Sequence, residues 1–562
     1  MDCDASGGAT GGAPLAPNGA GSNRAGAPPF RGWGTDESRT ASRRGGLRAG
    51  AAQIDITPAA GVHLSGFVAR EQPSVGVHDA LLARALVLDD GATRIVWLHA
   101  DLVGFDRDDA LRVRERVAAR LGVSPAAVVV SATHTHSGPA TVRLRQCGDY
   151  EASYVAWLSA QLVELAATAA GDMSAVAAVW GEGLCIVGSD RRGKPTKHVD
   201  PRVGVLGFRR TDGTYVAVLA NYGLHNVAMG PENRLISADI AGHAARRVAS
   251  QFTAPQSPTL ERVGHPATLG GLAHPVGGTG VSPVMAGGTG ESAAPVLVTN
   301  GGAGNINPPA VGDDFGLVQQ WGDELAAAIL AGLATGVVLP EPTLHVATET
   351  VAVPYKRVTA ADVQELAARH RGHTAGHDDP TSLRCRAVFD RWEREMLARV
   401  ADPQTVWSEP MDVQLVTLRA GATPASGHPD MPALRAGMAP DAAAARRGAT
   451  TLTPRQSPTP EGAGHPIEEV GHPLNESLAV SFACFGAEMF TSTGDDLRQR
   501  LGHPAYVVSY ANGVFGYLPP AWAVAEGGYE VDGAHLFYGR PQLDGGAYGV
   551  ALEAAVRLAS RL

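Results

Sequence analysis

The chain has 562 residues, enough for one large domain or two to three ordinary ones, and its 46 Lys+Arg against 56 Asp+Glu give a net charge of −10. A mildly acidic chain offers no electrostatic case for nucleic acid or for anionic lipid. The five cysteines are odd in number and have no CxxC spacing, so neither a disulfide framework nor a zinc ribbon is indicated.

The first 46 residues, rich in Gly, Ala, Ser and Arg, read as a disordered tail, because such a segment buries too little apolar surface to offset its ordering entropy. They lack the apolar core of a secretory signal, which points to the cytoplasm; a different start codon would open a secreted or periplasmic location. No apolar run is long enough to span a membrane.

From residue 47 to 562 the pattern is that of a single mixed α/β domain. RALVLDDGATRIVWLHADL (84–102) predicts two strands around a DDG turn, the second ending on Asp101. DRDDALRVRERVAARLG (106–122) predicts a helix with acidic residues first and basic ones later, matching the helix dipole. AAVVVSATHTH (126–136) predicts a buried strand carrying His134 and His136, which at i and i+2 would face one side. A helix over 154–171 follows, then a strand over 216–225 that ends in His225.

Two stretches, at about 254–294 and 422–473, are rich in Pro, Gly, Ser and Thr. They share QSPTLERVGHP (256–266) and QSPTPEGAGHP (456–466), and read as low-complexity loop insertions. The flanks of the second, 411–421 and 477–490, would pair as a hairpin without it. The remaining histidines, among them His198, His243, His370, His373, His377 and His535, read as surface or loop residues.

Four stretches set polar ligand-type residues at the ends of apolar strands: SATHTHSGP (131–139), LANYGLHNVAMGPENRLISADIAGHA (219–244), CFGAEMFTSTGDDLRQRLG (484–502) and SYANGVFGYLPP (509–520). Histidine, glutamate and tyrosinate are zinc donors, and three or four with an open position make a catalytic site.

In this order, and with AGAAQIDITPAAGVHLSGF (49–67), NGGAGNINP (300–308) and GGYEVDGAHLFYG (527–539), these segments resemble the catalytic domain of the neutral/alkaline, non-lysosomal ceramidases, which are zinc-dependent amidases. The resemblance implies one Zn2+ at strand ends, held by His134, His225, Glu488 and Tyr517, with zinc-bound water attacking an amide carbon. It also implies that His136 contacts substrate or the attacking water, that Tyr529 stabilises the oxyanion, and that Arg191 is an active-site arginine. Asp101 and Asp239 are candidates to orient the ligand histidines.

Asn307 stands where the family carries a catalytically important serine, so it cannot form an acyl-enzyme, although its amide can still donate to an oxyanion. The family's immunoglobulin-like C-terminal domain has no counterpart in the sequence. The function implied is hydrolysis of an amide in a small N-acyl, ceramide-like or otherwise lipid-like substrate. Hydrolysis of another carbonyl compound (an ester or lactone) and a metal-binding pseudo-enzyme are the alternatives that Asn307 leaves open.

Overall fold

A computed structural model describes residues 46–193, 199–252, 293–421 and 478–561. The predicted tail, the two QSPT repeats, nearly all of both insertions, and His198 lie outside the described residues.

Three sheets of four or five strands organise the described residues. The first runs Val128–Ala132, Arg94–Ala100, Leu82–Asp89, Arg48–Asp55 and Ser174–Ala175. The second runs Val296–Asn300, Tyr215–Tyr222, Arg202–Arg209, Ala177–Leu184 and Val337–Leu339. The third runs Thr343–Pro354, Ser408–Arg419, Ala479–Phe485 and Ala505–Val508. The last two segments before the site, 408–419 and 479–485, pair antiparallel from Val413↔Phe485 to Arg419↔Ala479, the hairpin read from the sequence.

Each sheet has one parallel pair, always at an edge: Arg94–Ala100 with Val128–Ala132, Tyr215–Tyr222 with Val296–Asn300, and Ala479–Phe485 with Ala505–Val508. Parallel strands need a crossover, and a helix lies between the strands of each pair: Arg107–Leu121, Asp239–Ala249 and Ser492–Leu501. Three strand–helix–strand units therefore recur, one per sheet.

Strand sequence explains the layering. In the first sheet Leu86, Leu88, Ile95, Trp97 and Val129 face the other two sheets, packing with Leu206, Phe208, Val416 and Phe482. The alternate residues Ala85, Val87, Val96, Leu98, Val128 and Val130 face the helices Arg107–Leu121 and Ala152–Gly171. Being buried on both faces, these strands read as unbroken apolar runs. The outer face of the second sheet is covered by Asp239–Ala249 and Phe315–Thr335, and that of the third by Ala547–Ala559.

The three parallel edges are stitched together at one place. Asn512 N–H donates to Val130 O and its Oδ1 accepts from Val130 N–H, Ser509 N–H donates to Asn300 O, and Asn300 Nδ2 donates to Thr133 O. Ligand sites in α/β folds collect beyond the carboxyl ends of parallel strands. Here three such ends converge.

Candidate metal centre and catalytic site

The strand predicted to carry His134 and His136 ends at Ala132. His134 lies beyond it in the left-handed region (φ 66), so strand alternation does not place these side chains. Instead, Thr133 N–H and His134 N–H donate to Ala100 O and Leu102 O, carrying the chain past the end of the neighbouring strand. His225 likewise sits three residues past its strand, its N–H donating to Ile306 O. A non-glycine residue held at positive φ costs energy and is tolerated where the surroundings over-determine it.

Both histidines are oriented by the loop that follows the partner strand of their own unit. His134 Nδ1 is 2.7 Å from Val103 O, and His225 Nδ1 is 2.7 Å from Ala303 O. A carbonyl only accepts, so each Nδ1 carries a proton, and Nε2 is the atom each ring turns toward Glu488. Glu488, 2 % exposed, brings Oε2 to 3.3 Å from His225 Nε2 and 3.6 Å from His134 Nε2. It opens a two-residue parallel ladder whose register sets Glu488 opposite Tyr517. Tyr517 Oη lies 3.4 Å from His225 Nε2. The ligand atoms of His134, His225 and Glu488 all fall within 4.8 Å of one another.

The electrostatics suit a cation. Burial pushes His134 down to about 4 against the pull of Glu488, and pushes His136 well below its ordinary value, with His134 and His225 adding to the effect. Burial alone would raise the Glu488 carboxyl, but His225, His134 and Tyr538 bring it down to about 2. At neutral pH His134 is therefore neutral and Glu488 ionised, the forms a divalent ion requires. A carboxylate this buried, facing the Nε2 atoms of two imidazoles, fits a bound cation.

His136 turns Nε2 toward the same group of side chains, 3.1 Å from His134 Nε2. Gly66 (φ 101) makes room for its ring, because a Cβ there would lie 2.3 Å from His136 Nδ1. Behind it, the buried Arg70 donates to the carbonyls of Ser65, His136, Gly230 and Pro231, so this wall is pinned through its backbone.

Arg191, Asn307 and Tyr529 form the rim beside Tyr517. Asn307 pairs with Ser189 in a two-residue antiparallel ladder, which brings Arg191 Nη1 to 3.5 Å from Asn307 Oδ1. Arg191 Nη2 donates to Gly304 O, and its Nε donates to Glu530 at 2.8 Å. The guanidinium carbon stands 5.3 Å from the Tyr517 ring centre and 5.7 Å from that of Tyr529. The four proposed ligands and His136, Arg191, Asn307 and Tyr529 thus come together in one place.

Several expectations are corrected. Asp101 does not orient a histidine; it accepts from Arg84 and from Leu82 N–H. Asp239 accepts from the backbone N–H groups of Ala228, Met229 and Ile240, shaping the chain after His225 without touching it. Carbonyls take the role assigned to these acids because the loops already lie against the rings. His370 and His373 belong to the helix Ala360–His373, and His370 lies against Asp532 O. His535 is not a loop residue; it sits in a short helix against Trp392 with Nδ1 on Arg540 O.

Sequence reasoning missed Tyr510 and Tyr538, which donate to Glu488, and Glu530, which pairs with both Arg191 and Arg192. Glu530 follows Tyr529 directly, so a buried carboxylate beside a site tyrosine was a usable signal. No sequence spacing marked the two tyrosines.

Residues 47–151 match the profile of the family described as neutral/alkaline non-lysosomal ceramidase, N-terminal. Neutral ceramidase of Pseudomonas aeruginosa is 28 % identical over 221 residues, which cover 35 % of this chain and 33 % of that protein. Neutral ceramidase 2 of Arabidopsis thaliana is 35 % identical over 94 residues, 16 % of this chain and 12 % of that one. The matched stretches thus span a third or less of these relatives' length. The crystal structure of the Pseudomonas aeruginosa neutral ceramidase superposes with a TM-score of 0.58 at 17 % identity, covering 92 % of this chain and 75 % of that chain. Over residues 47–151 the sequence matches the neutral/alkaline, non-lysosomal ceramidase family, and over most of the chain the fold is that of the Pseudomonas aeruginosa neutral ceramidase.

Proposed function

We propose that the protein is a zinc-dependent hydrolase that cleaves the amide bond of an N-acyl, ceramide-like substrate. The observation that carries this reading is the convergence of His134 Nε2, His225 Nε2, Glu488 Oε2 and Tyr517 Oη beside the rim of Arg191, Asn307 and Tyr529. Held by those four groups, zinc would supply a Lewis acid that polarises a carbonyl and acidifies water.

The chain's own residues account for the remaining chemistry. His136, neutral and turned toward His134, takes a proton from the attacking water and returns it to the leaving nitrogen. The water oxygen bonds to the acyl carbon, the C–N bond breaks, and a carboxylate and an amine result. Arg191 and Tyr529 present donors where negative charge develops on the carbonyl oxygen, with the Asn307 amide beside them. Because Asn307 offers no hydroxyl, the route is direct hydrolysis rather than an acyl-enzyme. We assign this activity to residues 47–562 as one catalytic domain, with a small N-acyl compound as its partner.

The test is metal content of the purified chain followed by turnover of a panel of fluorogenic N-acyl amides, with Asn307→Ser alongside. About one zinc per chain and amide turnover by the wild type are expected. Bound zinc with no turnover by either protein would overturn the amidase reading, and no bound zinc would overturn the metal site.

A further inference from the structure

We infer that Tyr538, assisted by Tyr510, is a positioning residue that limits Glu488 to a single donor oxygen and so biases the site toward zinc over larger divalent ions. This rests on the metal reading above.

The two carboxylate oxygens of Glu488 have different surroundings. Oε2 faces the histidines and receives the Tyr510 hydroxyl at 3.2 Å. Oε1 faces away and receives the Tyr538 hydroxyl at 2.6 Å, the short distance of an O–H donor on an ionised oxygen.

Neither tyrosine can easily move. Tyr538 packs over Gly516 (φ 130), where a Cβ would lie 3.3 Å from its ring, and Gly516 O in turn accepts the Glu488 N–H. One tight assembly therefore fixes the Glu488 backbone, the Tyr538 ring and the bond to Oε1. Tyr510 is fully buried at φ 55, and its ring lies flat on His134 with centres 3.9 Å apart and an 11° interplanar angle. It touches ligands from two different strand–helix–strand units, and its own backbone strain is borne where those ligands meet.

A carboxylate with one oxygen engaged by a strong donor offers the other as a single ligand. Zinc is satisfied by about four donors, whereas manganese and calcium take about six or more oxygens and accept carboxylates through both. Removing the Tyr538 hydroxyl frees Oε1 to turn inward while the ring goes on filling its place.

The experiment uses the full chain as wild type, Tyr538→Phe and Tyr510→Phe. Zn2+ and Mn2+ affinities are measured by competition with a chromophoric chelator, and visible absorption is recorded after loading with Co2+. Tyr538→Phe is expected to lose about 10- to 100-fold in zinc affinity, the usual cost of removing a group that holds a ligand. Its manganese affinity should hold or rise, and its cobalt bands should weaken as the coordination number grows. Tyr510→Phe should weaken both ions alike. An unchanged zinc-to-manganese ratio and cobalt spectrum in Tyr538→Phe would overturn the inference while leaving the metal site standing. Weak cobalt bands in the wild type would also overturn it, whether or not the variant folds. A wild type that binds neither ion would overturn the metal reading itself.

Discussion

The ligand pocket and the rim beside it are held in different ways. In the pocket, His134, His225 and Glu488 are 2–3 % exposed, and each is gripped by a group that follows the partner strand of its own unit: Val103 O, Ala303 O and the Tyr510 hydroxyl. At the rim, Tyr529 is 53 % exposed and Arg191 is set by one carboxylate, Glu530, and by a two-residue ladder. Two of these three grips are backbone carbonyls, which stay in place when the side chain of the residue that carries them is changed. The rim depends on side-chain charge, which substitution can alter without disturbing a strand. On the proposed function, the pocket would hold the metal and the rim would face the substrate.

The largest break in this contrast is expected from His225→Ala. It removes one of the proposed ligands together with its orienting bond, and zinc affinity should fall by at least about 1,000-fold, read by chelator competition. Retained stoichiometric zinc would show that the pocket is not the metal site. Arg191→Ala tests the other side. Amide turnover should drop by about 100- to 1,000-fold, the cost of losing an oxyanion donor, while zinc content remains near one per chain. Loss of zinc in that variant would mean that pocket and rim are not separable.

A pH experiment addresses the pocket without mutation. His134 is pushed down to about 4 and His99, in the core of the first sheet, down to about 3, both first by burial. A base held neutral in the fold lets the unfolded chain bind more protons between that value and about 6.5. Stability of the metal-free protein is therefore complete above about pH 6.5 and falls as pH drops toward 4. His134 alone contributes on the order of 3 kcal/mol to that fall. Denaturant midpoints measured from pH 7 to 4.5 should decrease steadily, and a flat series would contradict the neutral burial of these rings.

The smallest effect on turnover is expected from Glu530→Gln. The amide still accepts from Arg191 or Arg192 but no longer neutralises them, so turnover should fall about 10-fold with zinc retained. The same change should lower stability by about 3 kcal/mol, because two guanidinium groups lose a partner that is 3 % exposed. Unchanged turnover with lowered stability would show that Glu530 supports the fold and not the rim.

Much of the fold was legible in period and composition. The strands around the DDG turn fall at Leu82–Asp89 and Arg94–Ala100, and the helix read over 106–122 at Arg107–Leu121, because apolar alternation and helical spacing are local properties. The site was legible only through its motifs. His134 and His136 do turn their Nε2 atoms together, yet they lie past the strand, with His134 at positive φ, a conformation that side-chain pattern does not reveal. Tyr510 and Tyr538 went unread for a related reason: nothing within reach along the chain marks a phenol whose partner, Glu488, is 22 or 50 residues away.

From the sequence alone came the chemistry on offer: imidazoles and a carboxylate after apolar runs, a rim arginine and tyrosine, and an asparagine where a serine would be needed for an acyl-enzyme. Residue type decides which protons and lone pairs exist, and that is a local fact. The tertiary structure decided which ring nitrogen faces inward. Only when three parallel edges met, through Asn512, Ser509 and Asn300, did Val103 and Ala303 come against the Nδ1 atoms and leave both Nε2 atoms facing Glu488. A tautomer is chosen by the hydrogen bond on the other nitrogen, and in this chain that bond goes to a loop carbonyl 31 residues away for His134 and 78 for His225.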